Sequence, residues 1–247
     1  MAGIIQYLVV FGLLLSQGHS NSEATGTQVE GDQLVLRTLD RFAPAHAGDF
    51  KAYFDAIRPH KLADSMKAQV LGSLPTEGEA RPSADAADKL KSISPILAYH
   101  DRESVIEVKV IRVFQAAVAV YARCVLLVSE EALRLLTPAE LQALVAHELG
   151  HEYVWDELES AKSAGDHQKI PEMELWCDGV AILTLLDLGL DPQALPSAIS
   201  KLDRFNRRFG TPDNIDDYPT DRTRSEFHRT LSGLFADARK RRQQTDK

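Results

Sequence analysis

The sequence predicts an α+β fold that is mostly helical, with one small sheet in the middle of the chain. Apolar residues recur at the three- and four-residue spacing of helices on both sides of residues 104–128. Within that stretch β-branched residues are frequent and partly alternate with polar ones, which is typical of strands. The 247 residues, 44% of them hydrophobic and 26% charged, have the composition of a globular protein and suffice for one main core.

The first 33 residues are predicted to lie outside that core. Residues 4–15 are predominantly apolar, too few to span a bilayer comfortably, and small residues follow them. This pattern predicts a signal peptide over residues 1–20, although no Lys or Arg precedes the apolar segment. The protein is then exported, either periplasmic or secreted. The alternative is that residues 4–15 stay uncleaved as a membrane anchor. The polar residues 21–33 are predicted to form a linker.

A single domain is predicted over residues 34–247. Its first part, residues 34–103, has a helical pattern that is interrupted by prolines and by a polar loop at 75–88. Residues 104–114 predict a strand and residues 116–128 a second and third. Helices follow, so that residues 104–241 form the second part of the domain.

Charge and cysteine content limit the function classes. The formal net charge of −8 argues against nucleic acid as a partner, because no overall positive field attracts phosphate. Cys124 and Cys177 can pair in an exported protein or be buried thiols, and their apolar surroundings favour burial. The oligomeric state is not indicated.

The main functional pattern lies on a helix that is predicted to begin at Thr137, which forms a capping box with Glu140. His147 and His151 are four residues apart, so both imidazoles lie on one helix face. Two such imidazoles can bind a zinc ion, and Glu148 beside them can take a proton from water at the metal.

A second helix, predicted over residues 171–188, supplies two acidic residues. An open zinc site needs a third protein ligand, and Glu174 follows His151 at a distance that allows a turn and a returning helix. Asp178 lies one turn later and can accept the ring N–H of a ligand histidine. Both acids stand among apolar residues, where unpaired carboxylates are costly. For this helix alone, the alternative is that both acids face solvent and pair with surface cations.

Three segments in order resemble the zinc metallopeptidase family that includes HtpX and the CAAX prenyl proteases, a gluzincin group. They are residues 136–151, 174–181 and 188–192. The resemblance implies a zincin-like fold with the small sheet packed beside the active-site helix. It also implies a zinc-dependent endopeptidase with one zinc ion per chain and a peptide or protein substrate. The implied metal ligands are His147, His151 and Glu174, with Glu148 as the general base.

The chain departs from the family pattern in two places. Residues 118–124 replace the family's Asn-Ala-Phe-type segment and glycine-rich turn, where an extended substrate would pair with a strand. Tyr218 and Pro219 stand where the family has a His-Pro pair, with Arg224 at the matching distance downstream. Tyr218 or Arg224 is predicted to stabilise the oxyanion. The alternative for Tyr218 is a loop tyrosine packed on its neighbours.

These residues predict peptide-bond hydrolysis by a zinc-activated water, with Glu148 as general base and Asp178 orienting a ligand histidine. Because the substrate strand is altered, one alternative is a zinc-binding, weakly active or inactive module with a binding or chaperone-like role. Zinc binding alone does not need Glu148, so its presence argues against that alternative. The other alternative is an accidental motif in a protein without metal.

Overall fold

The protein is described here from a computed structural model that covers residues 26–47, 49–74, 78–166, 168–209 and 218–245. This part of the chain is mostly helical with one three-stranded sheet, so the α+β prediction is confirmed. The predicted signal peptide 1–20, the alternative anchor 4–15 and residues 21–25 of the linker lie outside the described residues. None of the described helices is both long and apolar enough to cross a membrane.

Five described α-helices precede the sheet. They are α1 (Gly26–Arg41), α2 (Phe50–Ala56), α3 (Asp64–Ser73), α4 (Ala84–Lys91) and α5 (Ser94–Tyr99). Residues 26–33 of the predicted linker are helical instead, because they form the first half of α1, whose later residues Val35 and Thr38 are buried in the core. Packing of one helix face against the core can stabilise a helix even where the sequence is too polar to predict one. The predicted polar loop 75–88 is expected to end in a turn of helix, and its last residues do begin a helix at Ala84, while residues 75–77 lie outside the described part.

The sheet has the strand order β1-β3-β2. Its strands are β1 (Glu107–Ile111), β2 (Val118–Tyr121) and β3 (Val125–Ser129). The central strand β3 is parallel to β1 and antiparallel to β2. The outer edge of β1 is covered by residues 78–80, where the Ala80 N–H donates to the Val110 carbonyl at 2.8 Å. No strand among the described residues pairs with the outer edge of β2.

A three-residue connection, residues 122–124, joins β2 to β3. Ala122 and Arg123 have φ values of +45° and +61°, and the Cys124 N–H donates to the Tyr121 carbonyl at 3.2 Å. Two successive residues with positive φ form the turn type that matches the twist of a hairpin, but glycine or asparagine normally occupies it. The Ala122 side chain therefore costs about 1 kcal/mol in backbone strain. Arg123 holds the turn by donating from Nη2 to the His60 carbonyl at 2.8 Å.

Helix α6 (Glu130–Leu135) leads directly into α7 (Pro138–Tyr153). The predicted start of α7 is confirmed, since Glu140 N–H donates to Thr137 Oγ1 and Thr137 N–H donates to a Glu140 carboxylate oxygen at 2.8 Å. This capping box fixes the register of the helix that carries both histidines.

Four further helices complete the described fold. They are α8 (Trp155–Ala164), α9 (Ile170–Asp187), α10 (Ala194–Asn206) and α11 (Asp221–Thr245). Helix α9 is buried along most of its length, as its apolar sequence predicts. It packs so closely against α7 that a Cβ atom at Gly150 would lie 2.7 Å from Cys177 Cα. Both cysteines are buried free thiols, which confirms the favoured alternative.

One cluster of buried apolar side chains draws on residues from both predicted parts of the domain. The Phe42 ring, after α1, stacks on Trp176 of α9 with ring centroids 4.2 Å apart. Phe227 of α11 lies 6.4 Å from the same Phe42 ring. Helices α1, α9 and α11 therefore meet around one aromatic group.

Buried polar contacts fix the C-terminal half of α7. Arg102 and Glu152 form an ion pair in which Nε lies 3.0 Å from Oε2 and both side chains are 3% exposed or less. The His100 ring hydrogen-bonds to the Tyr153 hydroxyl at 2.8 Å and to the Thr184 hydroxyl at 2.9 Å. Because Thr184 lies on α9, these contacts also tie α7 to α9.

Candidate metal centre

Helices α7 and α9 bring together the three side chains that the sequence predicts as metal ligands. His147 Nε2 lies 3.5 Å from Glu174 Oε2, and His151 Nε2 lies 3.8 Å from Glu174 Oε1. One ligand atom from each residue lies within 4.8 Å of the others. His147 and Glu174 are buried, and the His151 side chain is 15% exposed. The group can hold a metal ion.

The spacing of these atoms fits a tetrahedral ion. At metal–ligand distances of about 2.0–2.1 Å, the corners of a tetrahedron lie about 3.3 Å apart. The two nitrogen–oxygen distances, 3.5 and 3.8 Å, run to different oxygens of Glu174, and one ligand atom from each of the three residues lies within 4.8 Å of the others, so small side-chain movements would close the site. Two imidazoles and one carboxylate suit zinc and several other divalent transition metals, so the donor set does not select one ion.

Asp178 orients the first histidine, as the sequence predicts. Its Oδ1 accepts a hydrogen bond from His147 Nδ1 at 2.9 Å, which leaves Nε2 directed toward Glu174. Asp178 is fully buried. Burial alone would raise the pKa of this carboxyl group, but Arg224, His228 and the His147 hydrogen bond hold the pKa well below its usual range. Asp178 is therefore an anion inside the core.

Helix α11 supplies two cationic or polar groups to Asp178. Arg224 Nε lies 2.8 Å from Oδ2, and Arg224 Nη2 lies 3.6 Å from Glu174 Oε2. His228, one turn later, hydrogen-bonds through Nε2 to the same Oδ2 at 2.8 Å. His228 was not predicted from the sequence. Its spacing of four residues from Arg224 puts both on one helix face, but the sequence does not show that this face meets Asp178.

The structure places Arg224 in the site, but its contacts are with the two acids. These contacts mean that Arg224 balances buried negative charge. Its predicted contact with an oxyanion stays a prediction. Tyr218 is partly buried in the connection that precedes α11. Its predicted role also stays a prediction.

Glu148 is placed at the edge of the sheet. Its Oε2 accepts a hydrogen bond from the Val120 N–H at 3.0 Å. Burial raises the pKa of Glu148 to about 7, against the opposing effects of His147 and of the Val120 N–H. A carboxyl group with a pKa near neutral can both accept and return a proton at that pH, as a general acid–base requires.

The two histidines have different electrostatic surroundings. Burial alone would lower the pKa of His147, but Asp178 and Glu174 raise it to about 10. Burial lowers the pKa of His151 to about 4, and its Nδ1 contacts Cys177 Sγ at 3.4 Å. Both imidazoles must be neutral to ligate a metal, so metal binding has to displace the proton of His147.

The outer edge of β2, whose residues 118–120 are buried, faces Glu148. The Ser129 N–H donates to the Ala117 carbonyl, which identifies these two residues as a hydrogen-bonded pair. Because such pairs alternate along an antiparallel ladder, the N–H and C=O groups of Val118 and Val120 point away from β3. The Val120 N–H meets Glu148 there.

Comparison of the chain with protein-family models gave no match, and comparison with curated protein sequences gave none either. The family resemblance of the three segments therefore stays a prediction.

Proposed function

We propose that the protein is a zinc-dependent endopeptidase with a zincin-like catalytic domain, similar to the HtpX and CAAX prenyl protease family. The observation that carries the proposal is the convergence of His147, His151 and Glu174, whose ligand atoms lie within 4.8 Å of one another, with Glu148 adjacent to His147 on the same helix. Three protein ligands leave a fourth tetrahedral position open, which distinguishes catalytic from structural zinc sites.

In the proposed reaction, a bound zinc ion would polarise the scissile carbonyl and acidify a water molecule. Glu148 takes the proton from that water and later delivers it to the leaving amine. Asp178 keeps the Nδ1 proton of His147 in place, so that Nε2 remains a ligand. Tyr218 remains our proposal for the group that donates to the oxyanion, since Arg224 is engaged with the two acids.

A peptide is the substrate class that the edge of β2 supports. An extended segment can add to a strand edge through backbone hydrogen bonds, and the N–H and C=O groups of Val118 point away from β3, although binding would first have to uncover this buried residue. A peptide bound there would pass Glu148, which contacts the same edge at Val120. The proposed substrate is therefore an extended or unfolded peptide, and we propose that the protein meets it after export.

The experiment compares wild type with Glu148→Gln, using metal analysis and digestion of an unfolded protein substrate. The variant should keep one zinc ion per chain, because Glu148 is not a ligand, and should lose at least about 10²-fold in turnover. Glu159→Gln is a matched control on the exposed face of α8 and should behave as wild type. Digestion by Glu148→Gln at the wild-type rate would remove Glu148 from the mechanism.

A second function is favoured by one contact. The Glu148–Val120 hydrogen bond occupies both the proposed base and an edge donor, as expected of a zinc-stabilised module that binds peptides without cleaving them. Such a protein would bind zinc and an unfolded substrate but leave the substrate intact. Absence of bound metal in the purified protein, together with no loss of stability in chelator, would instead indicate an accidental motif.

A further inference from the structure

The two carboxylate oxygens of Asp178 have different partners. Oδ1 faces α7, where it accepts from His147 Nδ1 at 2.9 Å. Oδ2 faces α11, where it meets His228 Nε2 and Arg224 Nε, each at 2.8 Å. The carboxylate thus lies between a proposed metal ligand and the last described helix, with no exposed surface of its own.

The two partners on α11 do different things. Arg224 Nε is close to Oδ2 but lacks the geometry of a hydrogen bond, so it supplies charge rather than direction. Arg224 also lies 3.6 Å from Glu174, so a change at Arg224 disturbs a second acid. His228 donates a directed hydrogen bond to Oδ2. Its ring is buried, with the side chain 7% exposed.

A contact that holds Oδ2 of Asp178 in place also holds Oδ1 in place, because both belong to one planar carboxylate. A carboxylate that is free to rotate about its Cβ–Cγ bond can present either oxygen, or neither, to the His147 ring. The His228 hydrogen bond removes that freedom, because rotation would break it inside the core, where an unpaired polar atom is costly. The plane of the Asp178 carboxylate then sets the plane of the His147 imidazole and the direction of its Nε2.

We infer that His228 is a positioning residue of the metal centre, acting on His147 through Asp178. This inference rests on the proposed metal site but not on peptide hydrolysis. It makes metal affinity depend on a side chain of α11 whose hydrogen bond is made to Asp178 and not to a metal ligand. Partners of this kind typically change metal affinity by about 10- to 100-fold.

The test compares wild type with His228→Leu and His228→Gln. Gln places its amide nitrogen as far from the backbone as His places Nε2, so it can still donate to Asp178, whereas Leu cannot. Arg229→Gln, on the exposed side of the same helix, is the matched control. Zinc affinity is measured by competition with a chromogenic chelator. We expect His228→Leu to lose about 10- to 100-fold, and the other two variants to stay within about threefold of wild type.

A second readout does not need metal. In the metal-free protein, NMR of the histidine ring protons should show a hydrogen-bonded Nδ1–H on His147 in wild type and His228→Gln, and a weakened or exchanging signal in His228→Leu. If wild type binds no zinc, the proposed metal function fails, and the signal then decides only whether His228 positions the His147 ring through Asp178. If wild type binds zinc, both readouts apply.

Two results would overturn the inference. One is an unchanged His147 signal or unchanged zinc affinity in a folded His228→Leu protein. The other is an equal loss in His228→Leu and His228→Gln, since the donated hydrogen bond would then not be the cause. If His228→Leu does not fold, His228→Asn replaces it, because its shorter amide cannot reach Oδ2. Zinc binding by His228→Asn as tight as that of His228→Gln would equally reject the inference.

Discussion

Replacing Gly150 by Ala tests the close contact between the two ligand helices. The added Cβ would lie 2.7 Å from Cys177 Cα and 2.9 Å from its Cβ, and a backbone atom cannot move aside by rotation. To reach an ordinary contact of 3.4 Å, α7 and α9 must separate by about 0.7 Å. Overpacking of this kind costs about 1–3 kcal/mol, while Ala gains about 1 kcal/mol over Gly in a helix. We therefore expect a net loss of up to about 2 kcal/mol.

The same separation should weaken metal binding. His151 Nε2 already lies 3.8 Å from Glu174 Oε1, and another 0.7 Å would take this distance to about 4.5 Å, against about 3.3 Å in a tetrahedral site. A strain of about 1.4 kcal/mol on closing the site corresponds to a tenfold loss of zinc affinity. The assays are urea unfolding of the metal-free protein and zinc competition with a chelator.

Gly233→Ala is the matched control. Gly233 is exposed on α11, and a Cβ there would meet nothing within 4 Å, so this variant should gain up to about 1 kcal/mol and bind zinc unchanged. If Gly150→Ala is stabilised as much as Gly233→Ala and binds zinc as tightly as wild type, the two ligand helices are not held together at Gly150.

Three further predictions concern stability. Ala122→Gly should relieve strain in the β2–β3 turn and raise the free energy of unfolding by roughly 0.5–1 kcal/mol in urea; an unchanged midpoint would argue against that strain. Burial lowers the pKa of His100 to about 3 from 6.5, so below pH 6.5 the unfolded state binds a proton that the folded state does not. As the pH falls from 6.5 to 3, this proton should lower the free energy of unfolding by about 1.4 kcal/mol per pH unit. Urea unfolding of His100→Gln should no longer show this pH dependence, and an equal dependence in the variant would mean that another group causes it. Arg102→Met leaves the Glu152 charge unpaired and should cost about 3–5 kcal/mol, whereas adding Glu152→Leu should recover much of the loss; equal losses in the single and double variants would contradict the buried pair.

The local rules of helix formation predicted the ligand helices well. The capping box at Thr137 located the start of α7, and the four-residue spacings put His147 with His151 and Glu174 with Asp178 on shared faces. These features depend on contacts within a few residues, which a sequence displays directly. The α+β class followed for the same reason, because strand and helix periodicities differ.

Features that depend on long-range packing were not predictable in the same way. The strand order, with β3 between β1 and β2, depends on how the strands pair. The composition of each strand does not determine that order. Helix α1 begins in a polar stretch because Val35 and Thr38 are covered by distant helices. His228 was missed because a histidine on a helix is uninformative until Asp178, 50 residues earlier, is known to face it.

The position of α11 in the chain also affects the order in which the site can form during synthesis. Ribosomes add about 5–20 residues per second, so the 50 residues between Asp178 and His228 correspond to roughly 3–10 seconds. For most of that interval α7 and α9 are complete, but burying Asp178 between them would leave its charge without the α11 partners. We expect the pair to stay open or loosely packed until α11 arrives. A centre assembled in this order becomes ordered only when α11 closes the fold around Asp178.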